Sequence, residues 1–180
     1  MENIFNQDLE PCGNSTMSNG SWDKEYKCSE LGGGVHQICI NNIKSNTPGF
    51  SINTGQSYWS DLRGTDNHCV CLGAWSLYNA KLNQYTSKLK KHKANKNILN
   101  CEAIPKKAFS KEYISKFSTW NGREIKGQII DGVEGIVNNC LDDTNKQSIK
   151  NKNLIDNYCN FASNVSELQN RKLYSNLCKK

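Results

Sequence analysis

Three segments in the first half of the chain carry side chains able to bind a metal or attack an electrophile. Asp66-Asn67-His68-Cys69-Val70-Cys71 sets an imidazole beside one thiol and a second thiol two residues further on. His36-Gln37-Ile38-Cys39 repeats the pairing at a wider spacing, and Cys12 and Cys28 stand alone upstream. A nucleophilic thiolate needs a base or cation that lowers its pKa, together with access to solvent. Cys69 or Cys71 with His36 or His68 is therefore the catalytic candidate. His36 is the better partner, because neighbours on a strand point to opposite faces. The same types suit zinc, which takes four thiolate or imidazole ligands in a tetrahedron, and Cys39, Cys69, His36 and His68 form the candidate metal set. The spacing argues against zinc: knuckles place two residues between cysteines, here there is one, and Cys69 and Cys71 are expected to diverge so that only one reaches a shared site. The competing reading makes all nine cysteines (Cys12, Cys28, Cys39, Cys69, Cys71, Cys101, Cys140, Cys159 and Cys178) structural. They would be buried small hydrophobes in a reducing compartment or disulfide partners in an oxidising one, with at least one left over.

These residues need elements to position them. Residues 1 to 71 are punctuated by Gly13-Asn14-Ser15, Ser18-Asn19-Gly20, Gly32-Gly33-Gly34 and Thr47-Pro48-Gly49, with short apolar runs at Val35 to Ile43 and Cys69 to Leu72, a pattern of short strands and turns. From Leu72 to about Lys93, Trp75, Tyr78, Leu82, Tyr85 and Leu89 recur at three- and four-residue steps, the stripe of an amphipathic helix with Trp75 as its core anchor. Ile98 to Ile104 reads as a short strand, and Ser110 as the N-cap of a brief helix. Beyond residue 118, three apolar faces predict three short helices: Ile129 to Leu141, Leu154 to Ala162, and Val165 to Leu177. Even spacing of Cys140, Cys159 and Cys178 would let a helical hairpin bring two of them together. The expected fold class is α+β: a compact cysteine-rich antiparallel β portion with flanking helices in residues 1–118, and a small helical C-terminal extension in residues 119–180.

Four motifs in order, Leu9-Glu10-Pro11-Cys12, Leu31-Gly32 with His36-x-x-Cys39, Asp66-x-x-Cys69-x-Cys71-x-x-x-Trp75 and Glu102-Ala103-x-x-x-Lys107-Ala108-Phe109, resemble the family called domain of unknown function 2237 (DUF2237). The resemblance runs from about residue 6 to about residue 118. It implies a shared fold for that span and no reaction, cofactor or substrate. The chain departs from the family pattern where His68 stands for Trp, Ala74 for Arg and Pro105 for His. If the family histidine serves as a base, this chain lacks it.

Composition narrows the function classes. A hydrophobic fraction of 36% supports only a compact core, and no apolar run is long enough to span a bilayer. Met1-Glu2-Asn3-Ile4-Phe5-Asn6 has neither the basic nor the apolar region of a signal peptide, so a cytoplasmic location is expected. The net charge of +6 comes from lysines spread along the chain, and arginine, the usual reader of guanine edges, is scarce; sequence-specific nucleic-acid binding is not expected. The lysine run from Lys88 to Lys96 suits the C-terminal end of a helix dipole. Phosphate-loop, dinucleotide, zinc-protease, serine-hydrolase and Cys-x-x-Cys signatures are absent. By elimination, the chain reads as a non-catalytic structural or interaction module with protein partners and no cofactor. Its asparagine- and lysine-rich, low-GC composition and many cysteines suit a component of a large DNA virus particle, where a viral thiol oxidase could form disulfides. The alternative is a thiol- or zinc-dependent enzyme built on Cys69 or Cys71 with His36 or His68.

Overall fold

A computed structural model describes residues 1–14, 21–29, 36–89, 97–145 and 147–179, the side chains of residues 85–89 excepted. Among the described residues, four short strands and eight α-helices follow in the order β1 (Ile38–Ile40), α1 (Ile43–Asn46), α2 (Phe50–Asn53), β2 (His68–Val70), α3 (Leu72–Leu89), α4 (Lys111–Lys116), β3 (Thr119–Trp120), β4 (Arg123–Glu124), α5 (Lys126–Cys140), α6 (Ile149–Ala162), α7 (Ser166–Gln169) and α8 (Lys172–Cys178). β1 and β2 pair antiparallel, as do β3 and β4. The fold is α+β and cysteine-rich.

The amphipathic stripe of α3 is the axis of the molecule. Trp75 is fully buried and Tyr78 nearly so. The face of α3 lies against α5, whose Ile129, Ile130, Val133, Ile136 and Val137 are buried in register with a helical stripe. The two axes approach closely because α5 carries glycines at the crossing. A Cβ on Gly132 would stand 2.0 Å from Ser76 Oγ and 2.9 Å from Ser76 Cα, and one on Gly135 would stand 2.6 Å from Asn79 Oδ1. Polar groups caught in this interface are satisfied across it: Trp75 Nε1 donates to Gly132 O at 2.9 Å, and Asn79 Nδ2 donates to Asp131 O at 3.0 Å.

Several local expectations meet the structure directly. Ser110 caps α4 by accepting from Tyr113 N at 3.4 Å, β1 falls within the first apolar run, and β2 overlaps the second only at Cys69 and Val70, because it starts at His68 and gives way to α3 at Leu72. The segment Ile98 to Ile104 is not a strand: Leu99 makes an isolated bridge to Ile40, and Cys101–Ala103 is one turn of 3-10 helix. The third C-terminal face splits into α7 and α8. Gly32-Gly33-Gly34, His92 and most of the lysine run, from Lys90 to Lys96, lie outside the described residues.

The division expected at residue 118 does not coincide with a break in the core. One cluster of buried side chains joins Ile4, Ile38, Val70 and Trp75 to Ile129, Val133, Leu154, Tyr158 and Leu168. The Cys101–Cys140 disulfide crosses the same boundary. So do Asn157 Nδ2, which donates to Ile4 O at 3.0 Å, and Asn153 Nδ2, which donates to Phe5 O at 2.8 Å.

Candidate functional site

The candidate residues gather where four segments meet. The β1–β2 ladder sets Cys39 opposite Cys69, flanked by Ile38 opposite Val70 and Ile40 opposite His68. The N-terminal segment reaches this ladder through Asn67 Nδ2, which donates to Cys12 O at 2.6 Å, and is tied to the Cys28 segment by Cys12 N donating to Tyr26 O at 2.8 Å. On the far edge, Asn100 N donates to Cys39 O at 3.0 Å. Although Cys39 and Cys69 face each other, each is bonded to an outside partner: Cys12–Cys39 and Cys28–Cys69 are disulfides with Cα separations of 5.7 and 5.5 Å. The four cysteines and Ala103 are buried as a separate small core, with Trp22 packed on it.

Two more disulfides, Cys101–Cys140 and Cys159–Cys178, staple the helical half. Together with the free Cys71 they account for all nine cysteines. Eight of the nine are paired in disulfides. The expected hairpin pairing is realised by Cys159 and Cys178, while Cys140 turns to Cys101.

Disulfide formation and burial change what the catalytic candidates can do. Cys69 has no thiol to ionise. Cys71 does diverge from Cys69, but strand alternation is not the cause, since residues two apart share a face of a strand. The strand ends at Val70 and the chain turns into α3 at Leu72, which sends Cys71 to the main core while Cys69 faces the cysteine core. Burial pushes the Cys71 thiol up to about 11, the opposite of activation, and backbone hydrogen bonds offset this only in part.

His68 is buried, with its ring 4.6 Å from that of Trp59 in a tilted stack. Burial, reinforced by the charges of Arg63 and His36, lowers its pKa to about 3, so it is neutral at physiological pH. Arg63 lies over the Trp59 ring, its guanidinium carbon 5.7 Å from the ring centroid. Imidazole and thiol are therefore not assembled as a nucleophile and base. The metal set Cys39, Cys69, His36 and His68 is not brought together either. Among the described residues, the sulfurs within mutual reach of one ion are those of Cys12, Cys28 and Cys69.

Sequence reasoning missed a cavity of about 290 Å³ lined by Met1, Asp23, Ser29, Gln37, Pro105, Lys107 and Tyr113. Among the described residues, both amide atoms of Gln37 and the hydroxyl of Tyr113 are buried without a hydrogen-bond partner. Pro105, the position where the resembled family carries histidine, lines this cavity. A lone Gln beside a catalytic-looking His36 gave no signal for it.

Comparison with known proteins adds no relative: no family model, curated protein or solved structure matches the chain.

Proposed function

We propose that this chain is a non-catalytic structural or interaction module that works where thiols are oxidised, a minor component of a large DNA virus particle being the setting that best suits its composition. The observation that carries this reading is the state of the cysteines: four disulfides, and a ninth thiol that is half-buried and hard to ionise. Disulfides of this number persist in secreted proteins, secretory lumens and virus particles and are rare in a reducing cytosol. A protein partner is supported by exposed apolar side chains on one stretch of chain. Ile52 on α2, and Tyr58 and Leu62 in the segment packed against α2, are each more than half exposed. The kinship with DUF2237 remains part of this proposal, resting on the four ordered motifs.

The test is reactivity of the native, unreduced protein. Thiol titration below pH 8 is expected to find no fast-reacting cysteine, and Cys69→Ser is expected to lower thermal stability while any partner association survives. One hyper-reactive thiol at Cys71 would replace this reading with the thiol-enzyme alternative.

A further inference from the structure

We infer that Cys12, Cys28, Cys39 and Cys69 form a latent metal site, which in the reduced protein closes around one zinc ion. This concerns the reduced state and does not rest on the non-catalytic reading, which concerns the oxidised one.

The sulfurs of Cys12, Cys28 and Cys69 lie within 4.8 Å of one another, and Cys39 is bonded to Cys12. A tetrahedral tetrathiolate zinc site has Zn–S distances of about 2.3 Å, so its sulfurs stand about 3.8 Å apart. Three of the four sulfurs thus already lie near the spacing such a site needs, and the fourth, that of Cys39, is held beside them by its bond to Cys12. Reaching it takes rotation of side chains, with each bonded pair parting and the two pairs drawing together. The backbone need not be reorganised, because what holds the four segments together is largely independent of the sulfur bonds. The Cys39–Cys69 ladder, the Asn67 bond to Cys12 O, the Cys12 bond to Tyr26 and the Asn100 bond to Cys39 all survive reduction.

The other disulfides are a built-in contrast. Cys101–Cys140 and Cys159–Cys178 are single pairs, and among the described residues no other group of three or more ligands lies close enough to share an ion. Four thiolates are soft ligands, which select zinc over calcium or magnesium. The buried position also gives the reduced state a reason to take a metal, because four adjacent buried thiols without one would leave the small core held by little besides Ala103 and Trp22.

The chemistry balances as follows. Each disulfide accepts two electrons and two protons from a dithiol reductant, which closes its own disulfide. The four resulting thiols release four protons as zinc binds, so uptake is favoured by rising pH. In the reverse direction two equivalents of a disulfide oxidant take the four electrons, the two protein disulfides re-form, each oxidant disulfide takes up two protons to become a dithiol, and the zinc ion is released. The same four residues would then staple the β portion in an oxidising compartment by disulfides and in a reducing one by zinc.

The experiment uses the full chain, reduced with a phosphine that does not compete strongly for zinc, then dialysed against zinc or cobalt. About one zinc per chain is expected in the reduced protein and none in the oxidised protein. Cobalt should give the thiolate charge-transfer and tetrahedral d–d absorption of a sulfur site. The Cys101→Ser/Cys140→Ser double variant should retain uptake and Cys28→Ser should lose it. Because a variant can fail to fold, the wild-type chain supplies a second readout. With zinc present, alkylation followed by peptide mass analysis should leave Cys12, Cys28, Cys39 and Cys69 protected while Cys101, Cys140, Cys159 and Cys178 react. No uptake on reduction, equal uptake by the oxidised chain, or protection of a different set of cysteines would each overturn the inference.

Discussion

At the scale of single residues, environment decides what the candidate side chains can do. His68 titrates at about 3 in the folded chain and near 6.5 when unfolded. Between those values the unfolded state holds the extra proton, so the contribution of neutral His68 is present above pH 6.5 and is lost as pH falls toward 3. Stability should drop by about 1.4 kcal/mol per pH unit across that window from this one group. His68→Gln should flatten the part of the profile between about pH 6.5 and 5, before carboxylates titrate, as read by denaturant melts at each pH. Trp75 belongs to the same scale. The sequence stripe marked it as a core anchor, and it is fully buried with its indole nitrogen satisfied. Trp75→Ala should cost on the order of 3 to 5 kcal/mol by chemical denaturation, and a change near zero would place the ring outside the core. The chemistry-bearing types at His68, Cys69 and Cys71 were legible in the sequence. Their burial and pairing were not, because these are set by segments far along the chain: Cys69 meets Cys28, 41 residues away.

At the scale of elements, period and capping residues foretold α3, α4 and α5, since these signals are local. What sequence reading did not supply was the approach of α3 to α5, which depends on glycine at Gly132 and Gly135 meeting Ser76 and Asn79 from another helix. Two substitutions in α5 separate packing from propensity. Gly132→Ala drives a methyl into Ser76 side-chain and backbone atoms and should cost about 1 to 3 kcal/mol. Gly127→Ala, with open space where its Cβ would stand, should instead stabilise by about 0.5 to 1 kcal/mol through helix propensity. Thermal melts of the pair should move in opposite directions. Two shifts of the same sign would mean that close helix approach is not what Gly132 provides. The strand expected at Ile98 to Ile104 does not form for a comparable reason, because an apolar run of that length is equally content in an irregular buried segment.

For the molecule as a whole, α5 and α6 complete a core that begins in the first residues. Arg171, at the start of α8, binds Asp131 and Glu134 of α5, so even the last helix is fastened to the interior pair. Truncation after Thr119 would strip α3 of the face it packs on and leave Cys101 without Cys140. The truncated chain should lose its cooperative melt; a sharp transition close to that of the full chain would restore the boundary suggested by the motif resemblance. That resemblance ends where its motifs end. The core does not, because helices without a recognisable motif still contribute Ile129, Val133, Ile136, Leu154 and Tyr158 to it.

The claim on which the functional account rests is the pairing of the cysteines, and peptide mapping of the unreduced protein by mass spectrometry reads it directly. After alkylation under denaturing conditions, the account predicts linked peptides for Cys12–Cys39, Cys28–Cys69, Cys101–Cys140 and Cys159–Cys178, with Cys71 the one alkylated position. Nine alkylated cysteines in protein taken from its native compartment, or a disulfide that includes Cys71, would contradict it.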